Sequence, residues 1–499
     1  MTDPLLWRRI GAAMLIFPLL AGCAVGPDYA APSLTVPVRW SEKSESPPLS
    51  APTLAQWWRR LNDPILNQLI VEAVHGNLDV TAAKARIREA RGYRAQAVGA
   101  LFPSVTGTGS ATQNQSGATS VVGSDGVGVT VYNQFQAGFD AAWELDIFGG
   151  NRRALEAASY GVDAAEDDLR LSLLTLVGDI AANYVDARGY QARSALARRT
   201  AGSQRNTAAL TQKKFDAGSA AAVDVAKASA QAAATEANIP GFNASFAQAV
   251  HRIGVLLGRD PAAVARRLEA NVAIPSAIPR PRLPLPKGIP ADVLVMRPDV
   301  RKAERQLAQY TAKIGQAEAA LYPSVSLTGS VSTTGLKIGD LGKSSSIGWS
   351  IGPTLSVPIF NGGKLRAGVQ IAQAQRDQYD TALRAAVLSA LEDVENAIVS
   401  LAQERIRTGS LAEAARRYRE ASRLSHALYD TGSSSFLDVL DAERSQYSAE
   451  DTLLQSSVSV AKDYIALAKA LGGGWDGAID SAVPAVADGY AAPHIVAER

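Results

Sequence analysis

Two segments in the second half of the chain alternate strictly between apolar and small polar residues. In residues 323–335 every second position is apolar or small, and serine or threonine fills most positions between. Residues 346–359 repeat the pattern, residues 131–147 follow it in the first half, and residues 103–114 form a fourth segment of this kind. A period of two predicts β-strands with one apolar and one polar face. Segments of about ten residues also match the length of a strand that crosses a membrane.

The residues in and around these strands favour a membrane sheet over a soluble one. The segments 323–335 and 346–359 contain no charged residue, whereas a solvated sheet face usually carries lysine or glutamate. A soluble sandwich or hairpin pair remains the alternative, because alternation alone does not exclude it. We interpret the segments as transmembrane strands with an interfacial girdle of aromatic residues at their helix-proximal ends. The girdle residues are Phe102, Phe148, Tyr322 and Phe360.

Four strands are too few to close a barrel, and an open sheet edge is not tolerated in lipid. The chain is therefore expected to form oligomers. Two chains would give a barrel of eight strands, whose interior is filled by side chains. Three chains would give twelve strands and leave room for a channel, so a duct requires a trimer.

Between the strand pairs the apolar positions follow helical spacing. Leu66, Leu69 and Ile70 begin a stripe at i, i+3 and i+4, and Pro64 suits the first turn of that helix. No proline interrupts residues 151–214, which predicts a helix about 95 Å long. The predicted helices cover residues 63–100, 151–214, 219–258, 298–320, 364–428 and 436–471.

The same order of elements occurs twice. The run Leu-Phe-Pro-Ser-Val at 101–105 returns as Leu-Tyr-Pro-Ser-Val at 321–325, and Phe-Asp-Ala-Gly-Ser at 215–219 returns as Tyr-Asp-Thr-Gly-Ser at 429–433. Such repetition predicts one elongated body built from two copies of one unit. We divide the chain into residues 1–22 (signal peptide), 23–60 (extended N-terminal segment), 61–258 (first repeat), 259–296 (proline-rich linker), 297–473 (second repeat) and 474–499 (tail).

The start of the chain has the pattern of a secretory signal. Arg8 and Arg9 precede an apolar stretch at 10–20, which is shorter than the roughly 20 residues that span a bilayer. The run Leu-Ala-Gly-Cys that ends at Cys23 resembles the lipobox of bacterial lipoproteins, in which the cysteine receives a diacylglycerol. The resemblance further implies sorting to the outer membrane, because Ala24 follows the cysteine in place of the aspartate that retains lipoproteins in the inner membrane. Cys23 is the only cysteine, so an incidental core thiol is the alternative.

Composition and motifs give no sign of catalysis. Fifty basic and 48 acidic residues leave a net charge of +2, which does not favour nucleic acid. The run Gly342-Lys343-Ser344 is not a phosphate-binding loop, because Lys337 stands where the first glycine is required. We therefore expect neither an enzyme nor a cofactor or metal, apart from the covalent lipid. The four histidines are scattered without metal-ligand spacing: His75, His251, His426 and His494.

Two runs carry a family resemblance. Asp-Pro-Ile-Leu-Asn-Gln-Leu-Ile from Asp63 and Arg-Pro-Asp-Val-Arg-Lys-Ala-Glu-Arg-Gln-Leu from Arg297 resemble the outer-membrane efflux family that includes TolC and OprM. The resemblance covers residues 57–473 and is nearer to the NodT-type lipoprotein branch. It implies a membrane α+β fold, in which a trimeric transmembrane β-barrel with four strands per chain is continued by a long periplasmic α-helical barrel. The implied partners are two further copies (a homotrimer), a periplasmic adaptor (membrane fusion) protein, an inner-membrane efflux pump and outer-membrane lipid.

Both long helices end in a turn that contains a glycine. Gly218 and Gly432 suit the C-cap position, where a left-handed conformation is needed. Ser219 and Ser433–Ser435 suit the cap of the next helix. The resemblance implies that these turns form the periplasmic tip of the protein.

The aspartates after the turns have two interpretations. Asp438 and Asp441 stand at i and i+3, which places both on one face of a helix. The resemblance implies that they surround a closed periplasmic gate, where three chains would bring six carboxylates to one axis. The alternative is that they and Asp224 only occupy a first helical turn, where the helix dipole favours anions. Tyr429 matches a tyrosine that ties the gate in relatives, or it is a packed helix aromatic.

The sequence thus predicts a passive, trimeric duct in the outer membrane for small toxic compounds, with a large periplasmic portion and a tripartite, RND-type pump as partner. The outer-membrane component of type I protein secretion shares this architecture and is the first alternative. A structural periplasmic coiled-coil lipoprotein with a soluble β-domain is the second. Heat-modifiable trimers that require detergent for extraction distinguish both transport functions from the structural one.

Overall fold

The structure is a computed structural model that describes residues 24–33, 37, 40, 54, 56–115, 131–269, 278–281 and 297–482. The predicted signal peptide and Cys23 lie outside the described residues. The chain forms two compact units. The first takes the stretches up to residue 33, from 88 to 164 and from 303 to 383, and the second takes the remainder, so each unit draws on both repeats.

The first unit contains one antiparallel sheet of four strands in the order β1-β2-β3-β4. The strands are β1 (Ser104–Gln115), β2 (Val131–Leu145), β3 (Ser324–Gly335) and β4 (Ile347–Ser356). The hairpins of the two repeats meet where β2 pairs with β3. β1 and β4 are consequently the two edges of the sheet.

The strands predicted at 131–147 and 346–359 are too long at their C-terminal ends. β2 ends before Asp146, whose carboxylate accepts the backbone N–H groups of Asn151 (3.0 Å) and Arg152 (2.8 Å) and so turns the chain. β4 ends shortly before Pro358, which has no N–H to donate to a sheet.

The strand register separates apolar from polar residues completely at the centre of the sheet. One row across the four strands is Gly107, Phe139, Val331 and Trp349. The adjacent row, on the opposite face, is Thr106, Asp140, Ser330 and Ser350. Both faces are open: Phe139 and Trp349 on the apolar face are 63% and 75% exposed, and Asp140 and Ser350 on the polar face are also exposed. The predicted two-faced sheet is therefore present, and its apolar face is bare in the single chain.

The helices are α1 (Pro64–Gly76), α2 (Leu78–Gly99), α3 (Gly150–Asp216), α4 (Ala222–Glu236), α5 (Asn238–Leu256), α6 (Ala265–Glu269), α7 (Pro298–Ala319), α8 (Lys364–Asp430) and α9 (Phe436–Ala470). A 3-10 helix at Trp57–Leu61 precedes them. The repeats match in length, because α2 and α7 each have 22 residues and α3 and α8 each have 67. Within the described part of the chain, no helix is both long and apolar enough to cross a bilayer.

Two helices that the sequence predicts as continuous are broken. The helix predicted at 63–100 is interrupted at Asn77, whose backbone is extended and whose side-chain oxygen accepts the N–H groups of Asp79 (2.8 Å) and Val80 (3.0 Å). Asn77 is thus the N-cap of α2. The helix predicted at 219–258 is divided at Ala237, because Pro240 in the next turn has no N–H to donate backwards. The short helix α6 was not predicted.

The core of the second unit forms where the sequence places an apolar stripe. Leu66, Leu69 and Ile70 on α1 are fully buried. Trp57 donates its indole N–H to the carbonyl of Gly473 at 3.1 Å, and this bond joins the 3-10 helix before α1 to the residues that follow α9.

The Arg-Pro-Asp motif has a structural role in the same unit. Arg297 is buried and donates to both carboxylate oxygens of Asp299 (3.0 and 2.7 Å), to Asp393 on α8 (3.0 Å) and to the carbonyl of Ala470 at the end of α9 (2.7 Å). Burial opposes ionisation of Asp299, but the hydrogen bonds from Arg297 outweigh it and hold the pKa of Asp299 below its usual value. One guanidinium therefore joins three helices.

We expect the substitution Arg297→Ala to destabilise the protein by about 1–3 kcal/mol, because it leaves the half-buried carboxylate of Asp299 and the buried carbonyl of Ala470 without their donor. Denaturation of the purified protein in detergent measures this loss. Arg417→Ala is the matched control, since Arg417 pairs with Glu413 on an exposed face, where water screens the charges and such pairs add little to stability. Equal stability of the two variants would contradict the assigned role of Arg297.

Candidate functional site at the helical turns

The two turns after the long helices have the same backbone geometry. Gly218 (φ +76°) and Gly432 (φ +78°) adopt the left-handed conformation. In the second turn, the N–H of Gly432 donates to the carbonyl of Tyr429 at 3.1 Å, and that of Ser433 to Leu428 at 2.8 Å. The first turn has the corresponding pair of bonds, so both helices end in a Schellman motif.

The caps of the following helices differ between the turns. Ser435 is the N-cap of α9, and its hydroxyl accepts the N–H of Asp438 at 3.4 Å. In the first turn, Ala221 occupies the N-cap position of α4. The expectation that Ser219 caps this helix is wrong, because its hydroxyl donates back to the carbonyl of Lys214 at 3.0 Å.

The three candidate aspartates lie at the start of α4 and α9. The carboxylate of Asp438 accepts the N–H (3.1 Å) and the hydroxyl (2.9 Å) of Ser435, and completes a capping box. Asp224 accepts the N–H of Ala221 at 3.4 Å in the same way. Asp441 is exposed one turn further along α9. In the single chain, Asp438 and Asp224 thus have the local capping function that the helix-dipole interpretation predicts.

Tyr429 is the centre of an apolar cluster beneath the turns. Only 6% of it is exposed, and it packs edge-on against Phe436 of α9 with the ring centroids 5.9 Å apart. Its hydroxyl lies 3.4 Å from that of Thr211 on α3, and the ammonium of Lys214 lies 3.9 Å from its ring centroid. The cluster, completed by Ala228 of α4 and by Val439 and Leu440, joins both helical hairpins.

A partly buried pair of His426 and Glu443, near this cluster along α8 and α9, was missed by the sequence analysis. The Nε2 atom of His426 on α8 lies 2.9 Å from the carboxylate of Glu443 on α9, and Thr207 of α3 donates to the same carboxylate at 2.8 Å. The hydrogen bond to Glu443 raises the pKa of His426, although its partial burial acts in the opposite direction. No local spacing reveals this pair, because its members come from helices on opposite sides of a turn.

A second buried carboxylate lies two turns further along α9. Glu450 is buried and binds Arg419 of α8 at 2.7 Å and Arg199 of α3 at 3.6 Å. Its neighbour Asp451 forms a two-pronged pair with Arg193 of α3 at 2.7 and 2.9 Å. Charge pairs and the apolar cluster together fix α3, α8 and α9 to one another near the turns. In the described part of the chain, no three His, Cys, Asp or Glu side chains are grouped as a metal site would require.

This architecture identifies the family. Residues 69–259 and 289–473 match the family model described as outer membrane efflux protein. The chain belongs to that family, and the membership predicted from the Arg-Pro-Asp and Asp-Pro runs is confirmed.

Individual relatives agree over nearly the full length. Nodulation protein T of Rhizobium leguminosarum bv. trifolii is 37% identical over 462 residues, which are 92% of this chain and 96% of that protein. The toluene efflux pump outer membrane protein TtgI of Pseudomonas putida is 30% identical, covering 92% of this chain and 96% of that protein. The solved structure of the outer-membrane channel OprN is similar with a TM-score of 0.82 and 35% identity, covering 91% of this chain and all of that one.

The pair of His426 and Glu443 predicts a pH dependence. Because the folded-state pKa of His426 is raised above about 6.5, its contribution to stability is complete below pH 6.5 and disappears as the pH rises through the folded value. The melting temperature of the purified protein should therefore fall as the pH rises from 5.5 to 8.5. The substitution His426→Gln should make this fall smaller. The exposed His75 offers the control, and a slope that His75→Gln and His426→Gln change equally would refute the assignment.

Proposed function

We propose that this protein is the outer-membrane exit duct of a tripartite efflux system and that three copies form the duct. Its family consists of outer membrane efflux proteins, and curated relatives are outer-membrane components of efflux pumps. Their names favour efflux over protein secretion and over a structural role. The chain itself opens a path, while the energy for transport comes from the inner-membrane pump.

The observation that carries this proposal is the bare apolar face of the sheet. Trp349 and Ile351 are 75% and 69% exposed, a state that is unfavourable in water and suited to the acyl chains of lipid. The edges β1 and β4 are also open in the single chain, and three copies would pair them into a closed barrel of twelve strands. The opposite face, with Asp140, Ser330 and Ser350, would then line a water-filled channel.

The long helices would continue this channel on the periplasmic side. At 1.5 Å per residue, the 67 residues of α3 and of α8 each extend about 100 Å. The turns at Gly218 and Gly432 would form the periplasmic tip. There Asp438 and Asp441 of three chains would surround the closed aperture, attract cations and narrow the passage.

The remaining parts of the proposal concern partners, cargo and anchoring. A periplasmic adaptor would bind the duct and connect it to an RND-type pump in the inner membrane. The cargo would be small toxic compounds, in agreement with the toluene and solvent efflux pumps to which relatives belong. A diacylglycerol on Cys23 would add a lipid anchor to the barrel, because one anchor alone binds a membrane only weakly.

Spin labels at adjacent positions of β3 and β4 test the barrel. Labels at Ser326 and Ser350 should be accessible to a water-soluble nickel complex, and labels at Leu327 and Ile351 should be accessible to oxygen dissolved in lipid. Ser326 is adjacent to Leu327 on β3, and Ser350 is adjacent to Ile351 on β4. The two members of each pair point to opposite faces at the same depth, so each label is the control for its neighbour. The reverse pattern of accessibility would exclude a channel lined by the serine face.

Single-channel recording in planar bilayers tests the gate. The double variant Asp438→Ala with Asp441→Ala should raise the conductance and weaken block by divalent cations, since it removes charge and a cap from the aperture. Glu413→Ala, which removes an exposed carboxylate from the middle part of α8, should leave both unchanged. If the double variant behaves like wild type, neither aspartate belongs to the gate.

A further inference from the structure

The residues that follow Cys23 are held by one buried arginine. Arg153, in the first turn of α3, is 5% exposed and donates from Nε to the carbonyl of Val25 at 3.2 Å. Its Nη2 donates to the carbonyl of Gly26 at 3.2 Å and to the carboxylate of Asp28 at 2.7 Å. Its remaining nitrogen binds Glu156 at 2.8 Å. Most of this guanidinium is thus used to bind the N-terminal segment.

Backbone contacts hold the same segment from two further sides. The N–H of Val25 donates to the carbonyl of Phe148 at 3.1 Å, in the turn that joins β2 to α3. Gly26 has φ +92° and lies directly on Gly315 of α7. A side chain at Gly26 would overlap the Cα atom of Gly315, so this approach is possible only between two glycines.

Tyr29 fastens the end of the segment. Its hydroxyl donates to the carboxylate of Glu304 on α7 at 2.6 Å, and its ring meets that of Tyr160 edge-on with the centroids 5.9 Å apart. Residues 25–29 are therefore bound by α3, by α7 and by the turn after β2, all within the first unit.

The internal repeat shows that two of the binding residues, Glu304 and Gly315, are additions to the common scaffold. The helices α3 and α8 correspond at a constant offset of 214 residues, since they begin at 150 and 364 and end at 216 and 430. The helices α2 and α7 correspond at an offset of 220, since they begin at 78 and 298 and end at 99 and 319. At the offset of 220 the counterparts of Glu304 and Gly315 are Lys84 and Ala95, so the common scaffold does not require these two residues. The run Gly-Gly-x-x-Arg-Ala at 149–154 returns at 362–367 and places Arg366 opposite Arg153, but Arg366 is exposed whereas Arg153 is buried against the segment.

We propose that Arg153, Glu304 and Gly315 form a cradle that binds the mature N-terminus and fixes where its lipid enters the membrane. This inference rests on the lipid attachment at Cys23 in the proposed function. The bound residues Val25 and Gly26 are only two and three positions after Cys23 in the sequence. The ring of Phe148 in the same turn stacks on Tyr322 with the centroids 4.7 Å apart, and aromatic residues of this kind prefer the membrane interface.

The cradle would make the lipid and the barrel act as one anchor. A lipid on a loose tether samples a large volume, whereas one held at the foot of the barrel meets the bilayer as soon as the barrel does. The weak membrane affinity of one lipid group is then added to that of the strands.

Chymotrypsin cleavage after Tyr29 in the full-length, membrane-embedded protein tests this binding, because cleavage there releases the N-terminal fragment for mass spectrometry. Arg153→Ala should raise the rate at this bond about tenfold, since it removes charge-assisted hydrogen bonds and cleavage follows the open population. Gly26→Ala should also raise the cleavage rate, because the added side chain would push the segment away from Gly315. This variant leaves Arg153 unchanged. Arg366→Ala, an exposed arginine in the first turn of α8, should cleave at the wild-type rate.

The outcomes distinguish the cradle from the lipid. Wild-type rates in both Arg153→Ala and Gly26→Ala would overturn the cradle, and so would a Cys23→Ser protein that is cleaved as rapidly as Arg153→Ala. Slow cleavage of Cys23→Ser supports it, because the contacts then hold without lipid. A wild-type fragment without a lipid mass would instead overturn lipid attachment, and with it the positioning role. The rate of cleavage after Tyr29 would still show whether the cradle binds the segment.

Discussion

A sheet with an apolar face and two open edges cannot remain alone in either water or lipid. In this chain the constraint is strict, because the register places Phe139, Val331 and Trp349 in one uncovered row. Water disfavours that row, and lipid disfavours the unpaired N–H and carbonyl groups of β1 and β4. Association with identical chains inside a membrane satisfies both requirements at once. A closed barrel with a polar interior that includes Asp140 follows from this requirement, and the need for an open channel then selects three chains over two.

The region near the turns depends on a different balance. Tyr429 and Phe436 bury apolar surface between two hairpins, while Glu443 is buried against His426 and Glu450 against arginines of neighbouring helices. Buried charges are costly when they lose a partner, so these pairs restrict how α8 and α9 can separate. Asp438 is more weakly held, since its contacts are with its own cap. A gate built on such a turn can change its exposed rim while the packed layer behind it stays intact.

The sequence predicts those features that depend on local periodicity. The alternation in 323–335, the stripe from Leu66 and the C-cap glycines all describe neighbours along the chain, and the structure has each of them. Breaks were harder to foresee: Asn77 is followed by good helix formers, although an asparagine before Leu-Asp is a usable N-cap signal. Arg297 and Arg153 each bind one near neighbour, but their other partners, and the partner of His426, come from other elements. Their positions depend on tertiary packing, which no spacing along the chain encodes.

The equal lengths of α3 and α8 limit how this protein can change over time. Each added residue would advance a helix by about 1.5 Å and rotate everything beyond it by about 100°. An insertion in α3 alone would carry Lys214 away from the ring of Tyr429, although neither residue had changed. Length variation is therefore tolerable in the loops, or as matched insertions in both helices. The duplication that produced the repeats thus left two helices of 67 residues whose lengths must stay equal.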